Sequence, residues 1–85
     1  MTLRLRDGVS AADTDSGIAL LDEDSGEYWN LNPTGALVLR TLLEGGTSAE
    51  AIRALSEQYD VDAGTAGRDV EELLGGLRSA GLVEG

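Results

Sequence analysis

Eighty-five residues without cysteine or histidine, whose six basic side chains are all arginine, leave few routes to catalysis. Disulfides, thiolate metal sites, imidazole bases and lysine Schiff bases are excluded, so the chain is not expected to be an enzyme or to hold a cofactor or metal. A net charge of −10 opposes binding to nucleic acid or to anionic membranes, and the length suits one small domain, 1–85, working through a surface groove.

The first ten residues contain no apolar run long enough for a signal peptide, and no later segment approaches a membrane span. A cytoplasmic protein is expected. "LRLR" places Leu3 and Leu5 on one face of a strand and Arg4 and Arg6 on the other. Asp7-Gly8 is a turn dipeptide that either folds Val9 to Ala12 back or bends one long strand. "GIALLD" is the next strand, apolar on both faces, and "EDSG" turns the chain into "EYWNLN". These segments predict an antiparallel meander of three strands.

After Pro33 the apolar period becomes helical. Asn32 is a plausible N-cap with Pro33 at the first helical position, where its missing N–H costs nothing. The helix runs through "TGALVLRTLLE" and stops at Gly45-Gly46. Thr47 and Glu50 form a capping box for "SAEAIRALSEQY", with Ala51, Ile52, Leu55 and Tyr59 on its buried side. Asp62 or Thr65 caps a third helix, along which Ala66, Val70, Leu73, Leu74 and Leu77 form one apolar stripe. Gly75-Gly76 interrupts that stripe, so either the helix weakens there or something passes close to its backbone. Leu82 and Val83 return to the core. The fold class is α+β, a winged helix-turn-helix of a three-stranded antiparallel sheet followed by three helices.

Such a fold invites a DNA-binding reading, but its recognition helix would carry Arg68, Asp69, Glu71, Glu72 and Arg78, a sum of −1 that phosphates would repel. The pattern D-x-D-x-G occurs three times, and Asp60-Asp62-Gly64 with Glu71 has EF-hand spacing. Gly64 and Thr65 stand where a ligand and a glycine are needed, so these are turn residues.

The third strand holds two of the chain's three aromatic residues side by side. Trp29 and Leu31 share one face, and Tyr28, Asn30 and Asn32 share the other. At a sheet edge its unpaired backbone would template another extended chain, with pockets between the edge and the third helix. The residues leave open whether this strand does so or only packs; one ring is expected to close the core and the other to border a groove.

"GIALLD", "GEYWNLNPTG", "LLEGG-TSAEAI", "YDVD", "DVEELL" and "GLV", in this order over residues 3 to 83, resemble the PqqD-like family of leader-binding domains, the RiPP recognition elements. The most specific part is Leu31-Asn32 followed by Gly35. The resemblance implies a non-catalytic protein that binds the leader segment of a ribosomally made precursor peptide as an antiparallel strand on the third strand. Carried over, Tyr28, Trp29, Asn30 and Leu31 supply the strand edge, and Asp69, Val70, Leu73, Leu74 and Leu77 the helical wall. The chain is similar to the stand-alone leader-binding half of split lasso-peptide B proteins, which implies a separate cysteine protease and a later macrocyclase as partners. The alternatives are a peptide chaperone for a radical S-adenosylmethionine enzyme in pyrroloquinoline quinone biosynthesis, and, from another class, a winged-helix transcription regulator or dimerisation module.

Overall fold

The computed structural model describes residues 3–85, so the first two residues of the expected 1–85 domain lie outside the described residues. Eight elements follow in the order β1 (Arg4–Leu5), β2 (Val9–Thr14), β3 (Gly17–Asp22), β4 (Tyr28–Leu31), α1 (Pro33–Leu43), α2 (Ser48–Tyr59), α3 (Ala63–Ser79) and β5 (Val83–Glu84). The antiparallel sheet β2-β3-β4 and the three helices form the expected α+β fold. The Asp7-Gly8 turn separates β1 from β2, with Gly8 at φ +90°, and β1 leaves the sheet to pair with β5.

In β3, alternation sends Ile18, Leu20 and Asp22 toward the helices. Leu20 is fully buried and packs in one cluster with Val38, Leu39, Leu55, Val70 and Leu82. Each such side chain contributes about 1.5–3 kcal/mol relative to exposure. Leu82 and Val83 return to this core as expected. Gly17 opens β3 at φ +147°, where any Cβ would collide with the carbonyl oxygen of Leu31, so only glycine lets the two strands meet there.

The helix ends follow local chemistry. Asn32 Oδ1 accepts from the Gly35 N–H at 2.9 Å, Thr47 and Glu50 exchange both capping-box bonds, and Asp62 Oδ1 accepts from the Thr65 N–H at 2.9 Å. Asp62 is thereby committed to a helix end. Two details depart from expectation. Tyr59 is exposed, because α2 stops at that residue and Asp60 turns the chain away at φ +52°. Arg6 does not simply face solvent: its guanidinium joins the Gly81 carbonyl (2.6 Å), Asp22 (2.8 Å) and Asp24 (3.2 Å), tying β1 to the β3–β4 turn and to the end of α3.

Candidate functional site

β4 pairs with β3 on one side only. The register sets Trp29 opposite Leu20 and Leu31 opposite Ile18, and the Asp22 N–H donates to the Glu27 carbonyl at 2.8 Å. Hydrogen-bonded and non-bonded pairs alternate in an antiparallel ladder. Glu27, Trp29 and Leu31 therefore spend their backbone groups on β3, while Tyr28 and Asn30 turn theirs to the open edge. The side chains divide the other way. Trp29 and Leu31 are half-buried against the core, whereas Tyr28, 66% exposed, lies on the outer sheet face beside its cross-strand partner Leu21.

Across from this edge stands α3. β4 packs on α1 rather than on α3, which leaves a groove between them. A methyl placed on Gly35 would lie 3.6 Å from Leu31 Cβ and 3.9 Å from Leu73 Cδ1, so Leu31 and Leu73 both flank the first turn of α1. Just past the end of β4, a cleft of about 400 Å³ opens between the start of α1 and α3, lined by Asn32, Thr34, Gly35, Val38, Leu55, Asp69, Glu72 and Leu73. At the other end, the Arg6 bond to Gly81 holds the end of α3 near the turn that begins β4. Thus α3 runs antiparallel to β4.

The expected site residues separate by burial. Tyr28, Trp29, Asn30 and Leu31 form the edge, and Asp69 and Leu73 line the cleft. Val70, Leu74 and Leu77 are core residues, at 1%, 9% and 4% exposure. Val70 and Leu74 reach a second cleft, on the opposite flank of α3, with Ile52 and Gly67. Val70, Leu74 and Leu77 lie closest to the centre of the apolar stripe, where the 3.6-residue period already favours core, and Asp69 lies on its flank. Sequence reasoning did not assign Thr34, Gly35, Val38, Leu55 and Glu72 to the cleft. The pairing of a cap motif with an acidic helix two elements downstream is a tertiary fact.

Among the described residues no arginine pairs with Asp69 or Glu72, so this wall of the cleft is uncompensated negative charge. At the far end of the groove the Asp22 carboxyl is raised by its burial, but hydrogen bonds from the Asp24 N–H and Arg6 outweigh this and hold it below its usual range. The described residues contain no group of three or more candidate side chains able to hold a metal, and no helix long and apolar enough to cross a membrane.

The family described as Coenzyme PQQ synthesis protein D (PqqD) matches residues 17–83. Two solved structures match over the whole chain. "Lasso peptide synthetase B1 complexed with the leader peptide" is 40% identical, with a TM-score of 0.92 and all of both chains covered. "TbiB1 in Complex with the TbiA(beta) Leader Peptide" is 32% identical, with a TM-score of 0.86, covering 100% of this chain and 96% of that one. No curated protein matches by sequence.

Proposed function

The chain belongs to the PqqD family, and on that premise we propose that it binds the leader segment of a ribosomally synthesised precursor peptide by strand addition to β4. The observation that carries this reading is the open edge of β4, which runs at Asn32 into the cleft between the start of α1 and α3. Backbone bonds to Tyr28 and Asn30 fix direction and register; Trp29, Leu31 and Leu73 offer apolar contact, and Asp69 with Glu72 suits a basic leader residue. An antiparallel leader enters near Asn32 and leaves near Tyr28. The protein acts by presentation, without chemistry of its own, since no histidine, cysteine or lysine is present to activate its hydroxyl groups.

The pathway is lasso peptide biosynthesis, in which a separate cysteine protease removes the presented leader and a macrocyclase acts later. Whole-chain likeness to a lasso peptide synthetase B1 in complex with a leader peptide favours this over service to a radical S-adenosylmethionine enzyme. Residues 1–85 act as one leader-binding domain in the cytoplasm. The test is titration with the TbiA(beta) leader peptide and with the leader of the 40%-identical relative, following the fluorescence of the single tryptophan, Trp29. Saturable binding is expected at micromolar or lower concentration. No binding of either peptide at about 100 μM overturns the reading.

A further inference from the structure

Gly75 and Gly76 lie inside α3, which continues unbroken to Ser79. The fold requires neither: both have ordinary backbone angles, and a methyl built on either meets no atom within 4 Å. Both nevertheless weaken the helix, because glycine loses more backbone freedom on folding than any other residue. The close approach that would explain them is therefore not made by any described residue of this chain.

The two glycines point in different directions. Gly75 follows Glu71 by four residues and Arg68 by seven, which places it on the flank of the cleft away from β4. Gly76 follows Leu73 by three, Glu72 by four and Asp69 by seven, so it extends the line of residues that walls the groove. Three helical residues advance about 4.5 Å. A strand covers that distance in one to two residues, at about 3.3 Å each. With Leu73 near the Leu31 end of β4 and Gly81 tied toward its start, this step carries Gly76 from the Leu31 end in the direction of Asn30 and Trp29.

Directly opposed residues of an antiparallel pair put their side chains on the same face of the sheet. A strand added to β4 therefore sends the residue opposite Trp29 toward α3. We propose that Gly76 is a specificity-determining position: its bare backbone admits one large side chain of the leader, aromatic or branched aliphatic, between the Trp29 indole and α3. Gly75 has no such role. This rests on the strand-addition reading and adds to it a position on the protein and a side-chain class on the peptide.

The two glycines provide each other's control. Alanine at either position raises the thermal midpoint by roughly 4–8 °C, from the helix propensity gained. Binding of the two leader peptides separates them. Gly76→Leu weakens affinity by about tenfold or more, and Gly76→Ala by less, because the groove is overfilled. Gly75→Leu and Gly75→Ala stay within about twofold of the unmodified chain. An alanine scan of the large peptide side chains identifies one whose removal already lowers affinity and abolishes the further penalty of Gly76→Leu. If the unmodified chain binds and the Gly75 and Gly76 variants bind alike, or no peptide position relieves the penalty, the inference fails alone. Absence of binding by the unmodified chain removes the inference and the strand-addition reading together.

Discussion

The central sheet has two open edges, β2 and β4, and they are built for opposite ends. β2 is the longer, six residues against four, and by hydrogen-bond count alone would be the better template. No helix packs closely along it, and its residues from Ser10 onward are exposed. Asp13 carries a charge on the helix-facing side, where it meets Arg40 at 3.0 Å. An inward charge on an edge strand discourages pairing with another chain. β4 instead has half-buried Trp29 and Leu31 beneath its edge and α3 opposite. An open edge is thus not itself a binding site; in the proposed strand addition, the apolar floor and the helical wall favour β4 over β2.

The largest expected effect breaks this contrast at the backbone. The Asn30 N–H faces the open edge, so Asn30→Pro leaves the β3–β4 ladder intact while removing one bond to an added strand. On β2, the Glu23 N–H donates to the Gly8 carbonyl, and alternation then turns the Ala11 N–H outward, making Ala11→Pro the matched control. Leader affinity falls by about 100-fold or more for Asn30→Pro and stays within about twofold for Ala11→Pro. Calorimetric titration reads both, with circular dichroism confirming the fold. Equal losses would mean that β4 is not the edge used.

A second contrast lies within α3, between neighbouring leucines. Leu74 is core and Leu73 is only half-buried beside the cleft. Leu74→Ala lowers unfolding free energy by about 2–5 kcal/mol, through lost burial and the cavity left behind. Leu73→Ala costs less stability but weakens leader binding by about tenfold. Denaturant unfolding and fluorescence titration on the same two variants separate the roles. A larger binding loss for Leu74→Ala, measured where both remain folded, would place the groove on the other flank of the helix.

The difference between those leucines also marks how far the sequence could be read. Caps at Asn32, Thr47 and Asp62, the strand alternation in "GIALLD" and "EYWNLN", and the stripe on α3 are local patterns, and they were legible because local bonds enforce them. Of the candidate site, the edge residues 28–31 were legible for the same reason. The β1–β5 pairing was not, since two-residue strands carry no period. Nor was Arg6, whose contact with Gly81 spans 75 positions. Alternation placed Arg6 opposite Leu5, but only the return of the chain end decides what it meets. The cleft shares this limit, because Thr34 and Glu72 acquire a common role only after α1 and α3 pack.

The smallest effects concern the ion pairs beside the two edges. Arg40–Asp13, next to β2, is largely exposed, and Arg40→Ala changes stability by about 0–1 kcal/mol. Arg6–Asp22, at the turn leading into β4, has one partner buried and also holds the Gly81 carbonyl, so Arg6→Ala lowers the thermal midpoint by more than Arg40→Ala does. The Asp22 carboxyl is held below its ordinary value of 3.8 despite its burial, by bonds from Asp24 and Arg6. Its contribution is present above that ordinary value and is lost as pH falls through the depressed one. Glu50 and Asp62, held low by capping bonds from Thr47 and Thr65, act in the same direction. Thermal midpoints recorded while acidifying from neutral pH should therefore fall below about pH 4. Asp22→Asn should start from a lower midpoint than the unmodified chain and fall less steeply on acidification; an equal slope would mean that this carboxylate does not anchor the β4 end of the sheet.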